Sequence, residues 1–331
     1  MRSGVALFLA LTCIQAAAVG DDLSGGTPVS QTNLTVLWTA PTNSWPDRLW
    51  VYKVAPQEFA GPVISNLLRI ASFAMSDRTK VPPAFAEKDK KALFFGELDG
   101  HYKHLAICPT LGYVDYCDPK AASDGYFQPP VEVPNQEKTT RLGLKYIRLL
   151  GVDVSQLAVK PGTDDLDLHW DRGTVGYLDQ KTKTEVNLTN TFGVFFRRRI
   201  DGINVGGIAL NGGVFLEFGN TGRVRVLQVY WRNLKPYELR DCVSPDQIAE
   251  WLRTGRLALP AKAGPPSQIT KLTVSFAMPY YDSKFGDEPE NFVLPRVDMV
   301  ATAERPDGPV TFQFQAPMLR PTDQRNSQVR P

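Results

Sequence analysis

Amphipathic helix patterns alternate with groups of strand patterns along this chain, and this recurrence constrains the fold most. Apolar residues recur at helical spacing over residues 62–73, 136–150 and 245–253. Segments rich in β-branched and aromatic residues follow each of them. This α-β-β-β order differs from the strict β-α alternation of a parallel sheet. The sequence therefore predicts an α+β fold of repeated units, each a helix plus an antiparallel sheet.

The borders of the three helix patterns carry residues typical of helix ends. Pro62 stands at the start of the first pattern, where the missing N–H of proline is tolerated. Ser244 can cap the third helix, since its hydroxyl can accept a hydrogen bond from a free backbone N–H. Gly151 and Gly255 follow the second and third patterns and can adopt the left-handed conformation that ends a helix. These residues support all three helices.

The clearest strand patterns follow the second helix and indicate an antiparallel meander. Gly219 to Gly222 separates two of these patterns and suits a tight hairpin. Asp307-Gly308 is a good hairpin turn near the C-terminus. The predicted strands are 92–98, 102–108, 113–116, 167–170, 175–178, 191–199, 214–218, 224–231, 270–279, 296–303 and 310–315.

These elements divide the chain into five predicted segments. Prolines 129, 130 and 134 mark one boundary, and the chain from Met318 onward is rich in Pro, Arg and Gln and poor in apolar residues. The segments are a signal peptide over 1–20, α+β units over 21–130, 131–240 with the main meander, and 241–317, and a disordered tail over 318–331.

The N-terminus has the pattern of a secretory signal. Arg2 precedes an apolar run from Val5 to Ile14, and small residues follow up to Gly20. The run is shorter than the roughly 20 apolar residues that span a bilayer. The sequence therefore predicts a secreted protein, whether extracellular, periplasmic or within the secretory pathway, without a membrane span.

Charge limits the class of partner. The formal net charge is +2, with 37 Lys and Arg against 35 Asp and Glu. A nucleic-acid-binding protein usually has a marked basic excess or a clustered basic face. We therefore expect a small-molecule ligand or a protein partner and no nucleic acid.

Three cysteines follow the predicted signal peptide, an odd number for an oxidising compartment. Cys108 and Cys117 flank a plausible hairpin around Gly112, and we expect them to form a disulfide, which leaves Cys242 over. The alternative is that all three are buried, unpaired thiols, since free cysteine packs like a small apolar residue.

Two sequons, at Asn33 and Asn187, are candidate sites of N-glycosylation. Each is followed two positions later by threonine. They would carry glycans only in a eukaryotic secretory pathway, so the sequence leaves their modification open.

Catalytic motifs are weak throughout the chain. Only three histidines occur, at positions 101, 104 and 169, which limits general-base and zinc chemistry. No serine lies in a Gly-x-Ser-x-Gly motif, and the acidic residues 164, 165 and 167 lack calcium-loop spacing. The sequence predicts no metal site and no organic cofactor, and it assigns no catalytic residue.

Arginines and one tryptophan are the best candidates for recognition. If strands 191–199 and 224–231 share a sheet, alternation would place Arg197, Arg199, Arg223 and Arg225 on one face, where they could bind an acidic group. The alternative is cross-strand pairing with carboxylates such as Glu217. In addition, Trp45 lies among polar residues and is a candidate contact for a ligand or partner.

Residues 195–207, followed by 213–218 and 229–234, resemble the strand-turn-strand core of PepSY-like domains in secreted bacterial proteins and protease propeptides. Asp201-Gly202-Ile203 matches the turn of those domains, whereas Asn204 stands where they commonly have proline. The resemblance implies PepSY-like or cystatin-like units with a regulatory or inhibitory role and no catalytic centre.

Together these patterns predict a secreted binding or regulatory module that recognises its ligand or partner in a groove between sheet and helix. The alternative is a cofactor-free pocket enzyme of the cyclase or isomerase type that acts on a small apolar substrate. Such an enzyme orients its substrate by shape and a few donors and leaves no motif in the sequence.

Overall fold

The computed structural model describes residues 34–43, 45–55, 59, 61–97, 102–122, 130–160, 163–178, 181–206, 212–282 and 292–320. The predicted signal peptide and the sequon at Asn33 lie outside the described residues, as does His101.

Four α-helices occur in the described part of the chain, and the predicted positions of three are confirmed. They are α1 (Gly61–Ala71), α2 (Pro83–Ala86), α3 (Gln136–Leu149) and α4 (Pro245–Arg253). Ser244 caps α4 as expected, because its hydroxyl accepts a hydrogen bond from the Gln247 N–H. None of the described helices is long and apolar enough to cross a membrane.

The strands are more numerous than predicted, and several of them are longer. The segments 35–38, 48–55 and 233–241, which had no strand prediction, also form strands. The strands are β1 (Thr35–Trp38), β2 (Arg48–Ala55), β3 (Leu93–Gly96), β4 (His104–Cys108), β5 (Tyr113–Cys117), β6 (Leu168–Leu178), β7 (Glu185–Arg197), β8 (Arg199–Ile200), β9 (Ile203–Val205), β10 (Gly213–Phe218), β11 (Val224–Tyr230), β12 (Asn233–Asp241), β13 (Lys271–Asp282), β14 (Phe292–Glu304) and β15 (Val310–Pro317).

These strands form two large sheets. The seven-stranded sheet has the order β3-β4-β5-β11-β10-β7-β6 and is antiparallel throughout. The eight-stranded sheet has the order β12-β2-β14-β13-β9-β8, with β1 added to β13 and β15 added to β14. In this second sheet β1 and β9 run parallel to β13.

The predicted fold class is wrong. Strands make up 46% of the structure and helices 23%, in two large sheets rather than in repeated helix-plus-sheet units. The cause is long-range pairing: β1 pairs with β13, and β5 pairs with β11. Strand pairing therefore crosses the predicted boundaries near residues 130 and 240. Local hydrophobic patterns identify strands but carry no information about distant partners.

One face of the seven-stranded sheet, here called its inner face, is covered by α1 and α3. Leu67 and Leu68 of α1 and Ile147 of α3 pack in one cluster with the sheet residues Phe196 and Leu216. Helical spacing brings the apolar residues of each helix to one side, where they lose contact with water.

The eight-stranded sheet has its own core. Ile248 and Leu252 of α4 pack against strands β13, β14 and β15, with Met299 and Phe312 in the same cluster. The predicted Asp307-Gly308 turn joins β14 to β15, and Gly308 has a φ of +115°, a backbone conformation that favours glycine.

The predicted disordered tail begins too early. Met318 is fully buried in the core of the eight-stranded sheet, and its N–H donates a hydrogen bond to the Pro295 carbonyl. Leu319 is also buried. Met318 and Leu319 therefore bury apolar surface, although the composition of the tail as a whole is polar. Residues 321–331 lie outside the described part.

Gly143 allows α3 to lie close to the seven-stranded sheet. A Cβ at this position would come within 2.6 Å of the Phe196 ring and 3.2 Å of Val194. We predict that Gly143→Ala lowers the free energy of unfolding by about 1 to 3 kcal/mol, because overpacking a dense core outweighs the better helix propensity of alanine.

The control is Gly61→Ala in α1, where an added Cβ would meet no atom within 4 Å. Urea unfolding followed by circular dichroism measures both variants. Equal or greater stability of Gly143→Ala relative to the parent would contradict the close packing of α3.

Candidate functional site

The structure does not bring the four predicted arginines together. Arg197 ends β7 and pairs with Asp167 at 3.5 Å. Arg225 lies at the other end of the sheet, since Glu217, its partner at 2.7 Å, is four residues along β10 from the residue opposite Arg197. This spacing corresponds to about 13 Å.

The other two arginines donate hydrogen bonds to backbone carbonyls. Arg199 belongs to β8 in the eight-stranded sheet, where its Nε donates to the Gly202 carbonyl at 2.7 Å. Arg223 donates to the Lys120 carbonyl at 3.2 Å. The expected shared arginine face is therefore wrong, because β7 ends at Arg197 and the chain moves to the other sheet.

Arg198, which lies between β7 and β8, is a buried cation with an unusual set of partners. Its Nε and Nη2 donate to the Gln156 side-chain oxygen at 3.0 and 2.8 Å, and its Nη1 donates to the Arg232 carbonyl at 2.6 Å. The guanidinium lies 4.5 Å from the centre of the Trp231 ring. Burial lowers the pKa of Arg198 to about 10. These contacts fasten the link between the sheets.

We predict that Arg225→Met lowers the free energy of unfolding by about 1 to 3 kcal/mol, because it leaves the buried Glu217 carboxylate without its cation. Arg223→Met is the matched control, since Arg223 is exposed and bonds a carbonyl. Thermal unfolding compares the two. Equal effects would show that the buried pair has no special role.

Trp45 is half-buried against the core of the eight-stranded sheet. Its Nε1 donates to the Val243 carbonyl at 2.8 Å, and its ring packs edge-on against Trp38 at 5.7 Å between centroids. Both rings pack against the core of the eight-stranded sheet. The polar neighbours of Trp45 in sequence concealed this role, because they precede the unpredicted strand β2.

The predicted disulfide is not formed. Cys108, Cys117 and Cys242 are all free thiols. The predicted hairpin exists, but its register pairs Cys117 with His104, four residues from Cys108. This offset corresponds to about 13 Å along the strand, beyond the roughly 7 Å between Cα atoms that a disulfide can span.

The free thiols give a testable result. Burial is the main cause that raises the pKa of Cys117 to about 11 and that of Cys108 to about 12. We therefore predict slow alkylation of both in the folded protein near neutral pH, since the thiolate is the reactive form.

After denaturation without reductant, both residues should alkylate fully. Peptide mass mapping distinguishes the outcomes. A disulfide-linked peptide that contains Cys108 and Cys117 would contradict the observed register.

His104 takes part in a polar chain on the outer face of the seven-stranded sheet. Its Nε2 lies 3.3 Å from Asp115, which accepts a hydrogen bond from Gln228 at 3.3 Å. His169 is exposed on β6. Within the described ranges, no group of three His, Cys, Asp or Glu side chains is placed to hold a metal ion.

A groove opens between the start of α3 and the edge of the seven-stranded sheet. Its volume is about 310 Å³, within the lower range of small-ligand sites. The helix side contributes the segment 133–136, and the sheet side contributes Arg172 of β6 with Thr189 and Phe192 of β7.

Asn220 fixes the helix side of this groove. Asn220 is completely buried, and its side-chain oxygen accepts hydrogen bonds from the N–H groups of Val131 and Glu132 at 2.8 and 3.2 Å. The Thr221 N–H donates to the Glu132 carbonyl at 2.7 Å. The hairpin between β10 and β11 therefore holds the chain that enters α3.

The pairing register of β6 and β7 determines which side chains form the sheet side of the groove. Arg172 pairs with Phe192, so both side chains point to the same face. A bulge between Gly173 and Thr174 then brings Thr189 to that face as well. The groove thus combines a cation, a hydroxyl group and an aromatic ring.

The sequence analysis missed every residue of this groove. Arg172 follows the predicted strand 167–170, and Phe192 lies in the predicted strand 191–199, but nothing in the spacing joins them to residues 133–136. The sequence signal that could have indicated the helix side of the groove was the N-cap residue Asn135. Its side chain accepts a hydrogen bond from the Lys138 N–H. Of the sequons, Asn187 is exposed near the start of β7.

Comparisons with known proteins identify no family for this chain. No family model and no curated protein matches it. A solved structure of an uncharacterized protein from Eubacterium rectale is similar over 87% of this chain and 88% of that one, with 11% identity and a TM-score of 0.45. The Asp201–Gly202 turn does join β8 to β9 as a hairpin, and the PepSY-like resemblance remains a prediction.

Proposed function

We propose that this chain is a secreted binding protein whose groove beside α3 takes a small ligand with an anionic group and an apolar body. The groove itself is the observation that carries this proposal. The sequence analysis expected a ligand groove between sheet and helix but named other residues for it.

The chemistry of the lining supports an anionic group. Arg172 is exposed, and in the part of the chain that the structure describes its guanidinium forms no ion pair. A guanidinium presents paired donors that match the two oxygens of a carboxylate. Gln136 and Thr189 add polar groups beside it.

The apolar part of the ligand would contact Phe192 and Val133. Both are half-buried and line the groove. Partly covered apolar side chains release further surface from water when a ligand covers them. An aromatic carboxylate of modest size suits both the volume and the lining.

The lining supports binding rather than catalysis. Arg172 is the one charged residue among the described residues that line the groove, and general acid-base catalysis needs a group that titrates near the working pH. An arginine stays protonated there. The enzyme alternative has no comparable support from this groove.

Benzoate is a suitable probe, with benzamide as its uncharged counterpart. We predict that benzoate shifts the amide NMR signals of residues 133–136 and 189–192, and that benzamide shifts them less. Arg172→Gln should weaken benzoate binding about tenfold or more, because a hydrogen bond to a charged group contributes about 1.5 to 3 kcal/mol.

Arg141→Gln is the control, since Arg141 is exposed on the same helix outside the groove. Added salt should weaken binding to the parent protein. Equal binding of benzoate and benzamide, or unchanged binding by Arg172→Gln, would contradict the proposal.

A further inference from the structure

β15 is an edge strand of the eight-stranded sheet with an open side. It pairs with β14 along one side, and within the described residues no strand pairs with its other side. Antiparallel neighbours use alternate residues for hydrogen bonding, so the remaining residues direct their backbone groups away from the partner.

The register shows which residues have free backbone groups. The Met318 N–H donates to the Pro295 carbonyl, and the ladder from there to Val310 has no irregularity. Even-numbered residues of β15 therefore bond to β14. Thr311, Gln313 and Gln315 point their N–H and C=O groups to the open side.

Other edge strands in the described part carry features that block pairing. β12 contains Lys235, Pro236 and Glu238 and a bulge. β6 carries charged residues and a bulge, β1 and β3 have four residues each, and β8 has two. Charges, proline, bulges and short length are the usual protections of sheet edges. β15 has eight residues and no charge, and its one proline, Pro317, is its last residue.

The sequence of β15 is nearly symmetric about Gln313. Pro309 and Pro317 lie four residues to either side of Gln313, and Phe312 and Phe314 lie directly beside it. Thr311 matches Gln315, and Val310 matches Ala316. A strand with this arrangement meets its own copy, run in reverse, with like residues opposite each other.

We propose that β15 pairs with β15 of a second copy of this chain, in antiparallel orientation about a two-fold axis at Gln313. Each Gln313 then faces Gln313 of the other copy, and Thr311 faces Gln315. In every such pair the two residues exchange both of their free backbone hydrogen bonds. The interface is isologous and closes as a dimer.

Side chains on both faces fit this pairing. Phe312 and Phe314 are buried on the core side, and the two-fold axis places Phe312 of one copy beside Phe314 of the other. Cross-strand aromatic pairs stabilise antiparallel sheets. On the opposite face, glutamine and threonine meet without like-charge repulsion.

Cysteine substitution tests the register directly. Residues opposite each other in a hydrogen-bonded pair have Cα atoms about 5.5 Å apart, within the range for a disulfide. Gln313→Cys should therefore form a cross-linked dimer under mild oxidation. Thr311→Cys is the matched control on the same edge, since its two copies would lie about 13 Å apart.

Gln313→Lys tests the interface without a cross-link. Its side chain is exposed and its N–H faces the open side, so the variant should keep the monomer fold. Two lysines would face each other at the axis, which should raise the dimer dissociation constant about tenfold or more. Gln268→Lys, on an exposed turn, should leave the dimer intact.

Analytical ultracentrifugation of the purified chain over a wide concentration range measures the oligomeric state. A concentration-dependent dimer that Gln313→Lys weakens supports the proposal. A chain that stays monomeric at every concentration would overturn the proposal. The open edge would then be available to an extended segment of another protein. Equal or better cross-linking of Thr311→Cys would overturn the proposed register.

Discussion

The structure depends on covering one apolar sheet face with two short helices. Leu67 of α1 and Ile147 of α3 lie in the same cluster as Phe196 and Leu216, all of them buried. Neither helix is long enough to be stable alone in water, so the sheet stabilises the helices while they shield it. Gly143 sets the distance at which α3 lies.

The groove follows from this cover. α3 begins at Gln136, and the sheet extends to β6 and β7 beyond the start of the helix. The uncovered strip between them is the groove. Asn220 fixes the shape of the groove. Its buried amide accepts two backbone hydrogen bonds and so holds residues 131–132 in one position.

Local patterns were sufficient for the helices and for much of the sheet. The predicted ends of α3 and α4 agree closely with Gln136–Leu149 and Pro245–Arg253, because caps and apolar spacing are local properties. The hairpins at Gly219–Gly222 and Asp307–Gly308 are confirmed for the same reason.

The fold class was predicted wrongly because strands that are distant in sequence pair with each other. β2 and β12 pair across most of the chain, and a bulge at the Pro236–Glu238 step interrupts the alternation of β12. Arg197 and Arg199 look alike in sequence, yet they end in different sheets, because the strand stops between them. Groove residues come from three separate segments, and no single window of sequence contains them.

Long-range pairing has a modest cost. The Thr39 hydroxyl bonds the Val274 carbonyl across 235 positions, but loop-closure entropy grows only with the logarithm of length, about 0.6 kcal/mol for each doubling. Burial of strand residues such as Leu49 exceeds that increment. Both ends of the described chain therefore contribute strands to the eight-stranded sheet, and β15 is one of its edge strands. The groove belongs to the seven-stranded sheet and shares no residue with that edge, so substitutions at one should have little effect on the other.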